Sequence, residues 1–506
     1  MPKNRHIQRA GLAIALAMFG LLPTACSDEV APKTPEIVVL GGTSDGEASR
    51  VAVDAGGRVA DDIGRLSSDG QGNDSEVLAA PTVGHSTGTQ HITEFWPQQA
   101  LLDQVGAGVV RVHIGSEHLK AHRDAPAKFD WSQLDGVIKT NAEKTILATV
   151  HVRHQGLDST STPKIPESAA DVATVRAFTA ALVARYGHLV RYWQLENEVT
   201  LATHWPPNKL GQYAKLLTVF HDAVAAKSPT ARVGVAGFRS VSSPQPPKAV
   251  ADLLDAIKTH APTAIDAIDI HHHRSANEGV DLAKRIVAYR ALLTKRFDHA
   301  ASIEVVVSEN STWMDTPKGL PMQSAHQQAR YAVHSIYAAL GAGASWALFG
   351  TLMDRATWQG KPALHKFNLN GLFYNPDKAY SDGKHQGAKP VAHAVWAIGH
   401  LLDATQPVTI EAVETGIADL VRYEVDGEMA HTLLWWSGNG SPTVGVDAPK
   451  DAKQVRVWSL TPKKDAPWPP TDFNSTYPFQ DKSVNKDEVK VDLQPMVPVV
   501  MRSIAP

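Results

Sequence analysis

Trp193-Gln194-Leu195-Glu196-Asn197-Glu198 and Val305-Val306-Val307-Ser308-Glu309-Asn310 are the two stretches around which the rest of the chain can be ordered. Each reads as an apolar strand that delivers a glutamate at its C-terminal end. Carboxylates placed there leave their strands beside a cleft, where a pair of acids can transfer protons and attack a bound carbon.

Working outward from these strands, short runs rich in Val, Ile and Ala alternate with amphipathic stretches of helical period. Strands are expected near 81–86, 108–114, 145–152, 190–196, 231–237, 264–271, 302–309 and 344–351. Helices are expected at 97–106, 131–142, 170–186, 208–227, 248–259, 280–297, 323–341 and 388–402. Eight such units predict an α/β fold, a (β/α)8 TIM barrel over 81–402. The strands are near-continuous apolar runs, as required when both faces are covered. A doubly wound open sheet uses the same alternation but favours a Gly-rich loop between first strand and helix. Gly41-Gly42-Thr43 has no helix after it.

After about residue 403 the grammar changes to short alternating strands near 420–424, 432–436, 454–458 and 489–493, with turns at Asp426-Gly427 and Gly438-Asn439-Gly440. Residues 403–506 are therefore expected to form an all-β, β-sandwich-like accessory domain. The apolar end, 495–503, is expected to pack into one of its sheets.

At the other terminus Lys3, Arg5 and Arg9 precede an apolar run that ends at Pro23-Thr24-Ala25-Cys26. This reads as an export signal over 1–26, too short for a comfortable membrane span. Residues 27–80 are rich in Gly, Ser, Asp, Ala and Thr and read as a flexible tether, an extra strand at 37–40 being the alternative. With a formal net charge of −3 and no basic stripe, the chain offers little to a phosphate backbone, so nucleic acid is not an expected partner. Its single cysteine excludes an internal disulfide, and the fold must rest on its core.

Asn197-Glu198 after the fourth strand and Glu309 after the seventh resemble the retaining glycoside hydrolases of clan A, the 4/7 barrels. Gly106-Ala107-Gly108-Val109-Val110-Arg111 and Phe129-Asp130-Trp131-Ser132-Gln133-Leu134-Asp135 are similar to the opening of that clan, families 39 and 5 in particular. The resemblance implies hydrolysis of an O-glycosidic bond in an oligo- or polysaccharide, with Glu198 as general acid/base and Glu309 as nucleophile. It also implies that Asn197 meets the sugar's 2-hydroxyl and that Arg111 lies beside the nucleophile. Cys26 at the cleavage point resembles a bacterial lipoprotein signal, which implies lipid on Cys26 and an outer-membrane anchor. Pro23 departs from that pattern and leaves periplasmic or secreted export open.

Two carboxyl groups suffice because the leaving oxygen needs a proton while the anomeric carbon, becoming cationic, needs a negative partner on its other face. No cofactor is expected. His271 matches a clan histidine on strand six, whereas His273 stands at the clan's usual tyrosine position. Both should face one side, with His272 on the other. His113, His151 and His154 fall at the ends of strands two and three, where imidazoles can serve sugar hydroxyls; His151 is taken as substrate-binding. Trp313 and Trp346 are taken as sugar-facing, Trp346 by resemblance to a strand-eight tryptophan; Trp205 and Trp358 could pack or bind. The segment 354–388 is expected to overhang the cleft. Two other readings stay open: an inactive carbohydrate-binding envelope lipoprotein, and a metal-dependent hydrolase using His271 and His273. Oligomeric state is not legible.

Overall fold

The apolar runs become parallel strands because helices cover their outer faces while the strands enclose one another on the inside. In the computed structural model, eight strands pair in sequence order, each parallel to the next. They are β1 (Gly88–Thr89), β2 (Val109–Ile114), β3 (Thr145–Val150), β4 (Val190–Leu195), β5 (Arg232–Gly234), β6 (Ala267–His273), β7 (Glu304–Ser311) and β8 (Trp346–Ala347). Around this barrel-like sheet lie α1 (Gln99–Val105), α2 (Ser116–Asp124), α3 (Ser132–Thr140), α4 (Ala169–Tyr186), α5 (Leu210–Ala225), α6 (Lys248–His260), α7 (Asp281–Thr294), α8 (Ala325–Gly341) and α9 (Pro390–Leu401). The architecture is a (β/α)8 barrel followed by antiparallel sheets.

The structure describes residues 88–89, 99–153, 164–239, 242–279, 281–314, 323–354, 369–375, 387–401, 408–414, 419–425, 428–435, 440–463, 466, 468–494 and 497–504. The export signal with Cys26, the tether, the strand expected at 81–86, His154, Trp358 and most of 354–388 lie outside them. Among the described residues no helix is long and apolar enough to cross a membrane.

Local chemistry sets the helix starts. Ser168 and Asp171 form a reciprocal capping box at α4, and Ser324 with Gln327 forms another at α8. Helix α2 was not expected: its sequence, SEHLKAHRD, is mostly polar, and only Leu119 and His122 are buried. Beyond β8, β9 (Thr351–Met353) and β10 (Gly371–Phe373) form a small parallel pair. The fully buried ion pair of Asp354 with Lys389, at 2.6 Å, fastens it to the start of α9.

The C-terminal region contains β11 (Val408–Glu414), β12 (Asp419–Val425), β13 (Glu428–Trp435), β14 (Thr443–Asp447), β15 (Gln454–Ser459), β16 (Phe479–Ser483), β17 (Glu488–Asp492) and β18 (Val499–Ser503). Six of these form a sheet in the order β11-β12-β13-β18-β15-β16, and β14 pairs with β17. The period of two divides their side chains between two cores. Leu434, Val499 and Met501 pack with Val444, Val446, Val489 and Val491 of the small sheet. Leu433 and Val500, on the other face, belong to the main barrel core. Polar contacts cross the same junction, with Tyr337 Oη 2.9 Å from His431 Nε2 and Tyr477 Oη donating to the His393 carbonyl at 2.6 Å.

Candidate active site

Residues two apart on a strand share a face, so the barrel interior is built in layers. The lowest layer is an apolar plug of Val109, Leu147, Tyr192, Val306, Trp346 and Leu348. One step toward the C-terminal mouth, the same strands carry Arg111, Thr149, Gln194 and Ser308, and Asp269 joins them from β6; all five are fully buried. One step further come His113, His151, Glu196 and His271.

Arg111 organises the middle layer. Its Nε donates to Thr149 Oγ1 at 2.9 Å, its Nη2 to Gln194 Oε1 at 2.7 Å and Asn197 Oδ1 at 2.8 Å, and its Nη1 to Glu309 Oε1 at 2.7 Å. A planar fork with five donors can hold four side chains from three strand ends at once, which a lysine cannot do. Gln194 Nε2 donates on to Asp269 Oδ2 at 2.7 Å, and the Ser308 backbone N–H donates to Asp269 Oδ1 at 2.9 Å.

The end of β4 is bent into position by two left-handed residues. Glu196 has φ 64° and Glu198 φ 48°, a conformation that costs a non-glycine residue about 1–2 kcal/mol. Buried hydrogen bonds offset this strain. The Glu196 Oε1 accepts the backbone N–H groups of Val152 at 2.5 Å and Arg153 at 2.6 Å. Its carboxyl is held down at about 2: burial would raise it, but His151, the charge of Arg153 and the Arg153 N–H outweigh that. The bend turns the side chains of Asn197 and Glu198 into the mouth.

Glu198 meets Glu309 through His271. The Nδ1 of His271 lies 2.8 Å from Glu198 Oε1 and 3.6 Å from Glu309 Oε2. Its Nε2 lies 3.4 Å from Asp269 Oδ2. Burial alone would strip the proton from this ring, yet Glu309, Asp269 and Glu198 together raise its pKa to about 10. The space for the ring comes from Gly237, where a Cβ would fall 1.9 Å from His271 Nε2. Glu309 is pushed the other way. Burial opposes its charge, but His271, His273 and Arg111 hold its carboxyl well below the ordinary range. One oxygen of Glu198 and one of Glu309 lie within 4.8 Å of each other.

No family model matches this chain, and no curated protein does. Solved structures do. A family 39 glycoside hydrolase from the gut symbiont Bacteroides cellulosilyticus WH2 aligns at a TM-score of 0.60 and 16% identity, over 84% of this chain and 82% of that one. A glucosidase from Croceicoccus marinus aligns at 0.56 and 13%, over 84% and 96%. A GH30 endoxylanase from Clostridium papyrosolvens C71 aligns at 0.53 and 13%, over 83% and 95%. The chain has the fold of these glycoside hydrolases. The shared span exceeds the barrel and therefore includes part of the C-terminal sheets.

Of the residues singled out by sequence, Glu198, Glu309, Asn197, Arg111, His271 and His273 converge in one hydrogen-bonded network. His273 Nε2 lies 3.1 Å from Glu309 Oε2, and its Nδ1 lies 2.7 Å from Ser311 Oγ. His272 points outward, as the alternation requires: its ring stacks on Tyr331 at 8°, and burial lowers its pKa to about 3. His151 joins the network through Glu196, at 3.4 Å. Trp313 is buried just past β7. Trp346 is not brought to the carboxylates. It pairs in register with Val306, three residues before Glu309, and its ring packs on Tyr192 at 5.5 Å in the plug. Trp205 packs against Tyr213 and is fully buried.

Glu198, His271 and Glu309 can each bring one donor atom within 4.8 Å of the others, a metal-like spacing. A ligating imidazole must offer a lone pair, and the His271 nitrogen that faces this group, Nδ1, is already engaged with Glu198 Oε1 at 2.8 Å. Glu309 is already engaged by Arg111 and His273. Sequence reasoning missed Thr149, Gln194, Glu196, Asp269 and Ser308 as parts of the site. The signal was available for four of them, because Gln194 and Glu196 sit two positions apart and Thr149 and Asp269 sit two positions before His151 and His271.

Proposed function

We propose that this chain is a retaining glycoside hydrolase acting on an O-glycosidic bond of an oligo- or polysaccharide, with Glu198 as general acid/base and Glu309 as nucleophile. The closeness of the two carboxylates carries the reading: one oxygen of each lies within 4.8 Å of the other, which supports the closely set pair of retaining enzymes, whose carboxyl groups stand roughly 5–5.5 Å apart.

In the first step the Glu309 carboxylate forms a bond to the anomeric carbon as the bond to the leaving oxygen breaks and that oxygen takes the proton of Glu198. In the second, water attacks the glycosyl ester, gives its proton to Glu198, and Glu309 leaves as carboxylate. His271 suits both steps. Its Nδ1–H faces Oε1 of Glu198, which leaves Oε2 to carry the transferred proton. When Glu309 loses its charge to the sugar and Glu198 becomes ionised, the same imidazolium is already beside the new charge. Asn197 spends its carbonyl oxygen on Arg111, so its amide nitrogen is the group that would donate to the sugar 2-hydroxyl. The residues 1–26 support export to the cell envelope, with lipid on Cys26 as the anchor and periplasmic release or secretion as the alternative.

The test is a panel of 4-nitrophenyl glycosides and polysaccharides, with the first-formed product anomer read by proton NMR. Retention at the anomeric centre is expected. A first product of inverted configuration overturns the mechanism, and no turnover of any glycoside overturns the function.

A further inference from the structure

The ladder between β4 and β5 is interrupted one residue before the bend at Glu196. Trp193 pairs with Val233 and Gln194 with Gly234, and the two chains meet again at Asn197 and Gly237. In a continuous parallel ladder of this register the Leu195 carbonyl would accept the Ala236 N–H directly. A phenol stands between them instead. Tyr213 Oη, from the first turn of α5, donates to the Leu195 carbonyl at 2.9 Å and accepts the Ala236 N–H at 2.9 Å. Two hydrogen bonds in series span a rung that normally holds one, so the strands are kept apart at this level. Tyr213 is completely buried, and Trp205 braces its ring edge-on with centroids 5.6 Å apart. Burial lifts the phenol well above its ordinary pKa of 10, so it keeps the proton it donates.

The two backbone segments joined by this hydroxyl are the ones that place Glu198 and its imidazole partner. Leu195 precedes the left-handed residues Glu196 and Glu198. Ala236 precedes Gly237, whose missing Cβ makes the bed of His271. Around Ala236 the chain is bulged: Val235 and Phe238 donate to the carbonyls of Ala267 and Asp269 at 3.0 and 2.8 Å, three residues of one strand against two of the next. We propose that Tyr213 is a positioning residue for the acid/base step: its hydroxyl, set between β4 and β5, fixes the separation at which Glu198 and His271 meet. The proposal rests on the glycosidase reading above. Without the hydroxyl, the Leu195 carbonyl and the Ala236 N–H are left unpaired between fully buried residues. The direct bond that would satisfy both draws the strands together and shifts Glu198 against His271.

Tyr213→Phe removes one oxygen and keeps the ring. A phenyl glycoside needs the proton of Glu198 as its bond breaks, whereas 2,4-dinitrophenolate leaves without one, and kcat/KM reports this first step for both. On the sugar that the unsubstituted protein hydrolyses fastest, Tyr213→Phe should lower kcat/KM about tenfold or more for the phenyl glycoside and leave it within about twofold for the 2,4-dinitrophenyl glycoside. Equal losses on both would show a general loosening of the fold, and no loss on either an idle hydroxyl; each result overturns the proposal. Histidine 15N spectra of the full chain give a second readout. The His271 signals, identified by their loss in His271→Gln, should move in Tyr213→Phe while those of buried His334 and His431 stay. Unmoved His271 signals overturn the proposal. A third readout uses the unsubstituted protein and holds even where the variant fails to fold: the Tyr213 hydroxyl proton should exchange slowly with water and show a cross-peak to the Ala236 amide. A fast-exchanging hydroxyl without that cross-peak overturns the wedge. The spectra need no substrate, so a chain without glycosidase activity would fail the turnover assay while still reporting the link from Tyr213 to His271.

Discussion

The Nδ1 of His271 lies 2.8 Å from Oε1 of Glu198, which ties the end of β6 to the bent end of β4 across the barrel mouth. Because Asp269 and Glu309 also face this ring, the imidazolium is the shared counter-charge of those two carboxylates as well as a hydrogen-bond partner of Glu198.

A consequence appears in stability against pH. The His271 pKa is raised from its ordinary 6.5 to about 10, against the effect of burial. Its contribution is therefore full below about pH 6.5 and is lost as pH rises toward 10. Glu309 is depressed, so its contribution is present above its ordinary 4.5 and is lost as pH falls. Melting temperatures measured by calorimetry from pH 3 to 10 should show a plateau between these flanks. In His271→Gln the alkaline decline should flatten.

Arg111 is expected to matter to both folding and turnover. Removing its guanidinium takes from Glu309 and Asp269 one of the two buried cations they share, Arg111 and His271, which costs about 3–5 kcal/mol. Arg111→Met should show this loss in urea denaturation. Arg111→Lys should keep more stability yet lower kcat by about 10²-fold, since one ammonium cannot reach Thr149, Gln194, Asn197 and Glu309 together.

The buried Asp354–Lys389 pair provides a test away from the carboxylates. Lys389→Met takes the cation from a carboxylate at a site with no exposure on either side chain and should cost about 3–5 kcal/mol. Adding Asp354→Asn should recover much of it, because the amide oxygen can still accept the Gly371 N–H now bound at 2.9 Å. Urea denaturation of the single and double variants measures the coupling.

Trp346 separates packing from recognition. Its place in the plug beside Tyr192 predicts that Trp346→Phe loses about 1–3 kcal/mol to a cavity. KM should stay within about twofold of the unsubstituted value, the smallest change that truncating a sugar platform would exceed. Denaturation and steady-state kinetics on one preparation decide between the two roles.

The barrel was legible because Val109–Ile114, Val190–Leu195 and Glu304–Ser311 are apolar enough on both faces to exclude other folds. The convergence of Arg111, Asn197, Glu198, His271, His273 and Glu309 was legible because strand ends meet at one mouth. Helix α2 was not, since its burial comes from only two side chains. Strand β16 was also illegible, because its sequence, FQDKS, is largely exposed at a sheet edge. The role of Glu196 depends on a left-handed backbone and on amides of a neighbouring strand end, neither of which a linear sequence displays. Trp346 was placed among sugar-facing residues by its strand, whereas its height within the barrel depends on the β7–β8 register.

The central claim is that Glu309 becomes covalently bonded to the sugar. It is tested most directly by incubating the protein with a 2-deoxy-2-fluoro glycoside carrying a good leaving group, matched to a substrate it turns over, and locating the adduct by peptide mass spectrometry. A single glycosyl ester on Glu309, released slowly by water, is the expected result. An adduct on a different residue would contradict it.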